Sequence, residues 1–137
     1  MRNYVPRWEG ISYNRYRELQ HFCRQYREWK KEARSLLGLH GQGVNGMPHG
    51  TGISDPTARA AEKREHLLKK IAMVEQCLKS ISGGVWYAAL IQNVCDGKPY
   101  AKIRQDIMPT SNRGAFFKAR REFFIALDEA QTRTQEE

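Results

Sequence analysis

The sequence lacks a cysteine pair and a long hydrophobic run, and both absences limit what the protein can be. Its three cysteines, Cys23, Cys77 and Cys95, are far apart and form no Cys-x-x-Cys motif. We therefore expect reduced thiols with a structural role, and neither a disulfide framework nor a zinc site. There is also no run of about 18 apolar residues, no signal-peptide segment and no lipidation motif. Without these features we expect a cytoplasmic protein with no membrane partner.

Sequence patterns typical of enzymes are absent as well. No local catalytic signature occurs, and the glycine-rich segment 38–54 does not end in the Gly-Lys-Ser/Thr of a phosphate-binding P-loop. His40 and His49 lie in that segment without further metal ligands nearby. The 15 acidic residues are mostly interleaved with Lys or Arg, so no cluster of carboxylates is expected to converge on a metal. The sequence predicts no enzyme activity, no metal and no cofactor.

The alternation of apolar and polar residues that is typical of β-strands is missing too, and no internal repeat is found. Apolar residues instead recur every three or four positions through most of the chain. The sequence therefore predicts an all-α protein. A length of 137 residues fits one small domain, or a compact module with an appended arm.

Positive charge is what the sequence has in excess. The chain carries 23 Lys and Arg against 15 Asp and Glu, a formal net charge of +8, and its isoelectric point is near 9.6. A small basic protein favours a polyanionic partner through the release of counterions, and nucleic acid is the commonest such partner. An anionic membrane surface is the rival, but the absence of an apolar anchor counts against it.

The first two thirds of the chain predict two long helices joined by a loop. Residues 1–37 form a basic N-terminal arm and a helix, and six glycines between Gly38 and Gly52 indicate a flexible loop over residues 38–54. Residues 55–83 form a long amphipathic helix that ends at Gly83. The apolar stripes of the two helices predict that they pack as a hairpin or as an oligomeric coiled coil.

The last third, residues 85–130, predicts a helix-turn-helix. A short helix begins near Pro99 and ends near Ile107, because the residue before Pro109 avoids the α region. A polar turn follows, and its side-chain oxygens can cap the next helix. Seven Lys or Arg lie between Lys98 and Arg121, against the single acid Asp106. This is the outline of a DNA-reading motif whose second helix enters the major groove.

Candidate DNA-binding residues follow from that outline. Asn112 and Arg113 lie at the start of the last helix, where Arg suits guanine and Asn suits adenine. The remaining candidates would contact phosphates or a second base. The full set is Lys98, Lys102, Arg104, Thr110, Ser111, Asn112, Arg113, Lys118, Arg120 and Arg121. The apolar residues of the same helix that repeat at helical spacing are assigned to the core: Phe116, Phe123, Phe124 and Leu127.

The two runs DPTARAAEKREHLLKKIAMVEQCLKSI and MPTSNRGAFFKARREFFIAL resemble small phage and prophage proteins of Gram-positive bacteria. They are similar to the RinA/ArpU-type late transcriptional regulators, whose C-terminal helices resemble the DNA-binding region of sigma factors. Ser111, Phe116 (shifted by one), Arg120 and Arg121 match the Ser-x-x-x-Phe-x-x-x-Arg-Arg pattern of the recognition helix. The chain departs from the family in the first helix of the motif. That helix usually carries the sequence Glu-x-Ile-Ala, whereas residues 99–103 of this chain read Pro-Tyr-Ala-Lys-Ile.

The resemblance implies a phage-derived DNA-binding protein of a bacterial host cell that regulates late genes. Its partners would be double-stranded DNA and RNA polymerase. We also expect a homo-oligomer, because the long helices expose more apolar stripe than one hairpin hides. One alternative is a small terminase-like packaging protein, although such proteins usually place the helix-turn-helix before the oligomerisation helices. A second alternative is a structural or adaptor protein whose basic face binds an acidic protein.

Overall fold

The computed structural model describes residues 10–42, 56–108 and 111–136. Within these ranges the chain is all-helical, and no β-strand is present. The helices are α1 (Tyr13–Arg24), α2 (Tyr26–Gln42), α3 (Pro56–Ser80), α4 (Tyr87–Val94), α5 (Tyr100–Ile107) and α6 (Arg113–Glu136), with a short 3-10 helix at Ile81–Gly84. The predicted basic arm at residues 1–9 and most of the predicted glycine-rich loop lie outside the described residues.

The helix that the sequence predicts up to Leu37 is divided at Gln25 into α1 and α2. Ser12 begins α1, because its hydroxyl oxygen accepts a hydrogen bond from the backbone N–H of Arg15 at 3.1 Å. At Gln25 the side-chain amide donates to the carbonyl oxygen of His21 at 3.1 Å. The backbone N–H of Gln25 bonds to Phe22 instead, one residue short of the α-helical partner. The side chain of Gln25 thus replaces its backbone N–H as the donor to His21. The spacing of apolar residues in the sequence does not indicate this break between α1 and α2.

The chain divides into two compact units, of which one spans Tyr26–Ala72. We call it the α2–α3 unit. Glu32 pairs with Lys63 at 2.8 Å, and the Nε of Arg64 donates to the carbonyl oxygen of Ala33 at 3.2 Å. The ammonium of Lys70 lies 5.6 Å from the ring centre of Trp29. Trp29 near the start of α2 thus lies beside Lys70, and Glu32 and Ala33 one turn later lie beside Lys63 and Arg64.

Helix α2 extends into the glycine-rich segment that the sequence predicts to be a loop from residue 38. Helix α2 continues to Gln42, through the first five positions of the predicted loop. Its glycines therefore do not by themselves end the helix, although each costs about 1 kcal/mol relative to alanine in a helix.

The second unit comprises Met1–Gln25 and Met73–Glu137. We call its described part, residues 10–25, 73–108 and 111–136, the α6 unit. Its core is built on the predicted apolar stripe of α6, because Phe116, Phe123, Phe124 and Leu127 are all fully buried. The core prediction for these four residues is confirmed. Burying side chains of this size stabilises the fold by about 1.5–3 kcal/mol each.

Helices α1, α4 and α5 complete the core of the α6 unit. Tyr16 of α1 meets Phe124 edge to face, with 5.3 Å between ring centres. Tyr100 of α5 contacts Phe116 at 4.8 Å between ring centres. Leu90 of α4 is fully buried. Helices α1 and α5 thus pack aromatic rings against α6, and α4 contributes Leu90 to the core of this unit.

The connections around α5 match the turn chemistry of the sequence. Helix α3 ends at Ser80, three residues before the predicted end at Gly83. The predicted glycines have positive φ in the 3-10 helix that follows, at Gly83 (φ 69°) and Gly84 (φ 87°). Helix α5 begins after Pro99 and ends at Ile107, as predicted. Asn112 caps α6 by accepting a hydrogen bond from the backbone N–H of Ala115 at 3.1 Å. Pro109 lies outside the described residues.

Candidate nucleic-acid interface

The residues at the start of α6 are occupied by local contacts. The side-chain oxygen of Asn112 accepts a hydrogen bond from the backbone N–H of Ala115, which holds the amide in a capping orientation and restricts the bidentate contact with adenine. The hydroxyl of Ser111 lies 2.6 Å from the hydroxyl of Tyr100. Thr110 lies outside the described residues. The polar turn therefore contributes more to the start of α6 than to a free binding surface.

The cations predicted on and before α5 differ in how far they are neutralised. Lys98 and Lys102 both approach Asp106, at 3.7 Å and 3.6 Å. One carboxylate thus serves two ammonium groups, which leaves a net positive charge at this site. Arg104 is exposed, and its guanidinium has no side-chain partner among the described residues. We expect Arg104 to carry the most available charge of the three.

Arg120 does not lie on an open face, because it is half-buried between α6, α4 and α1. Its Nε donates to the Oδ1 of Asn93 at 2.7 Å. Its guanidinium carbon lies 5.6 Å from the ring centre of Tyr16 and 4.9 Å from that of Phe124. Such contacts hold a planar guanidinium in one orientation. The sequence analysis placed Arg120 at the edge of the basic side, and the structure places it further inside.

The amide of Asn93 is itself fixed by a second hydrogen bond. Its Nδ2 donates to the carbonyl oxygen of Lys98 at 2.9 Å, which leaves Oδ1 to face Arg120. Sequence analysis did not identify Asn93 or Tyr16 as part of a site. The available signal was weak: Asn93 is a polar residue near the end of an otherwise apolar α4, YAALIQNV.

A cleft of about 700 Å³ joins these residues to the remaining cations of α6. We call it the α6 cleft. Its lining residues are Tyr16, Asn93, Arg113, Gly114, Phe117, Lys118, Arg120 and Arg121. Four of the eight are cationic and none is acidic. The structure thus brings together four of the ten predicted residues, whereas Lys98, Lys102, Arg104, Ser111 and Asn112 do not line the cleft.

The mouth of the α6 cleft is aromatic as well as basic. Phe117 is 37% exposed, and the guanidinium carbon of Arg113 lies 4.8 Å from its ring centre. The same guanidinium is 5.7 Å from the ring centre of Tyr100. These contacts restrict the side chain of Arg113, so less conformational entropy is lost when it binds an anion. Lys118 and Arg121 are exposed.

The electrostatic setting of the α6 cleft favours anions. The first turn of α6 contains no acidic residue, and the N-terminal end of a helix carries a partial positive charge. An ion pair joins α1 to α6, between Arg15 and Asp128 at 2.7 Å, and neither residue lines the cleft. Chemically, this arrangement can bind and orient a phosphate, but it presents no acid–base or nucleophilic pair.

The three cysteines are buried in the α6 unit and do not line the α6 cleft. Burial raises the pKa of the Cys23 thiol well above its ordinary value of 9.0, and the nearby thiols of Cys95 and Cys77 raise it further. Burial also raises the pKa of Cys77. Among the described residues no group of three His, Cys, Asp or Glu is placed to hold a metal ion.

Known proteins add no further constraint. No protein-family model, curated protein or solved structure matches the chain. Across the described residues, none of the helices combines the length and the apolar character needed to cross a membrane. The case for a function therefore depends on the α6 cleft and on the charge around it.

Proposed function

We propose that this protein binds double-stranded DNA through the basic side of α6. The observation that carries the proposal is the convergence of Arg113, Lys118, Arg120 and Arg121 on one cleft without an acidic residue in its lining. Phosphates are held by cations and by helix N-termini, and both are present at this end of α6. The formal net charge of +8 supports the same partner by attracting DNA over a longer range.

Within this proposal, α5 and α6 act as a helix-turn-helix. Exposed Arg113 and Arg121 contact DNA, and Arg104 contacts the flanking backbone. Asn112 and Ser111 have the more limited role of fixing the start of α6, since their side-chain oxygens are already bonded. Arg120 is a phosphate anchor rather than a base reader, because its guanidinium is held inside the cleft.

The narrower proposal is a phage-derived regulator of late transcription. It rests on the resemblance of the α3 and α6 sequences to RinA/ArpU-type proteins, and it includes RNA polymerase as a possible class of partner. The α6 cleft supports contact with DNA in general and does not favour a particular target sequence.

We also propose that the protein forms a homo-oligomer through the α2–α3 unit, with α2 and α3 packed as a hairpin or coiled coil. Leu37 is 49% exposed and Leu68 is 38% exposed. The α2–α3 unit of one copy therefore retains apolar surface that the α2–α3 unit of a second copy could cover. Light scattering coupled to gel filtration tests this directly. A Leu68→Glu variant is expected to be a monomer, and an unchanged mass would contradict oligomerisation through this surface.

The test of DNA binding is fluorescence anisotropy with labelled duplexes. Promoter fragments of the host prophage and a scrambled duplex would be titrated at about 50 mM and about 200 mM salt. We expect binding that weakens steeply with salt, and tighter binding to one fragment if the protein is a regulator. Equal affinity for all duplexes would contradict the regulator proposal, and no binding at low salt would contradict DNA binding itself.

A further inference from the structure

Arg120 is unusual among the cations of the α6 unit because it is partly withdrawn from water without a carboxylate partner. Arg15, in a comparable position between α1 and α6, pairs with Asp128 at 2.7 Å. Arg120 instead bonds to the neutral amide of Asn93. A partly desolvated charge is costly unless a counter-charge accompanies it. The fold therefore holds a positive charge in place that no carboxylate among the described residues compensates.

The orientation of Arg120 is fixed while part of its donor set stays free. Nε is used by Asn93, and the aromatic rings of Tyr16 and Phe124 lie beside the guanidinium. No described residue accepts a hydrogen bond from its Nη1 or Nη2. Two parallel N–H groups with restricted motion match two oxygens of one phosphate, which is the bidentate geometry that distinguishes Arg from Lys.

The α6 cleft is larger than a phosphate needs. Its volume of about 700 Å³ lies in the range of clefts that hold drug-sized molecules. Besides the cations it offers the partly exposed ring of Phe117, which is stacked against the guanidinium of Arg113 at 4.8 Å. Aromatic rings and Arg planes are the surfaces on which unpaired bases stack.

We propose that the α6 cleft binds one unpaired nucleotide of a nucleic-acid strand. Its phosphate lies on the Nη groups of Arg120, with Lys118 and Arg121 beside it, and its base packs on the Arg113–Phe117 stack. A base in a continuous duplex is paired and stacked and cannot enter such a cleft, so the ligand is a single-stranded segment or an opened end. This inference rests on the proposal that the α6 side contacts nucleic acid, and it adds the ligand class of the cleft.

The test compares three ligands: a labelled oligothymidylate, a blunt duplex of equal length, and thymidine monophosphate as competitor. Asn93→Asp places a carboxylate beside Arg120 and neutralises it. We expect this variant to bind the oligothymidylate at least about tenfold more weakly than wild type, since hydrogen bonds to charged groups are among the stronger ones. Gln76→Glu, on an exposed position of α3, makes the same change in net charge away from the cleft and is expected to bind as wild type does.

A second variant is needed because Asn93→Asp also removes the hydrogen bond that Asn93 donates to the carbonyl oxygen of Lys98. Arg120→Lys keeps the charge and the aliphatic stem but loses the planar fork, and it is expected to weaken single-strand binding with little change in thermal unfolding. The inference is overturned if both variants bind the oligothymidylate as wild type does, or if thymidine monophosphate does not compete. Tight duplex binding with no single-strand binding would overturn this inference alone, whereas single-strand binding without duplex binding would overturn only the duplex proposal.

Discussion

The hydroxyl groups of Tyr100 and Ser111 lie 2.6 Å apart and join the first residue of α5 to the turn before α6. The ring of Tyr100 also contacts Phe116 and Phe117, at 4.8 Å and 5.7 Å between ring centres. One side chain thus fixes where α6 begins relative to α5. Because Arg113 lies over the same ring, this contact also positions the mouth of the α6 cleft.

Replacing Tyr100 by Phe removes the hydroxyl pair and keeps the ring contacts. We expect the free energy of unfolding in urea to fall by about 1 kcal/mol, the usual net value of one hydrogen bond. Tyr13→Phe is the matched control, since its hydroxyl accepts a bond from Arg17 at an exposed site and its loss should cost a few tenths of that value. Equal losses in the two variants would contradict a special role for Tyr100.

Truncation of two adjacent phenylalanines of α6 should mainly affect different properties, stability for Phe116 and nucleic-acid binding for Phe117. Phe116 is fully buried, whereas Phe117 is 37% exposed and lines the cleft. Phe116→Ala should lower the free energy of unfolding by about 3–5 kcal/mol, the cost of a large cavity. Phe117→Ala should cost about 1 kcal/mol or less but weaken nucleic-acid binding. Urea titrations and anisotropy on the same two variants would separate the core side of α6 from the binding side.

The ion pair of Arg15 with Asp128 should contribute to the packing of α1 on α6. Burial alone would lower the pKa of Arg15, but its hydrogen bonds to Asp128 and Glu18 outweigh this and raise the pKa. Asp128→Asn is expected to lower the free energy of unfolding by about 1 kcal/mol. Glu18→Gln removes the exposed partner of Arg15 at 3.3 Å and should lower the free energy of unfolding by only a few tenths of a kcal/mol. A larger loss from Glu18→Gln would contradict this assignment.

The buried Cys23 thiol should make stability depend on pH in the alkaline range. Its pKa is raised in the folded protein, mainly by burial, so its contribution is complete below the ordinary thiol pKa and is lost as the pH rises above it. The stability difference between wild type and Cys23→Ala should therefore shrink from about pH 8 to about pH 10. Urea unfolding at the two pH values measures this difference, and a constant difference would contradict the raised pKa.

Much of the fold could be predicted because the buried face of a helix requires apolar residues at every third or fourth position. Phe116, Phe123 and Leu127 repeat at helical spacing, and all three are in the core. Proline likewise predicted both ends of α5, whereas α3 ends at Ser80, three residues before the predicted end at Gly83. The break at Gln25 could not be predicted, because it depends on a side chain that binds the His21 carbonyl and any glutamine has this capacity.

The candidate site was only partly predictable, for a similar reason. A basic run indicates which helix carries charge, and four cations of that run do line the α6 cleft. Sequence gave no way to separate Arg120, which is held inside by Asn93, from the exposed Arg121 beside it. Such details depend on side chains from different helices meeting in space.

The measurement that tests the central claim most directly is the salt dependence of duplex binding in two charge-matched variants. Lys118→Gln with Arg121→Gln removes two exposed cations from the α6 cleft, and Lys31→Gln with Arg34→Gln removes two exposed cations from α2. Each phosphate contact contributes about 0.9 to the slope of log K against log salt. We predict that the slope falls by about 2 in the α6 variant and stays close to that of wild type in the α2 variant. Equal slopes in the α6 variant and wild type would contradict DNA binding through this helix.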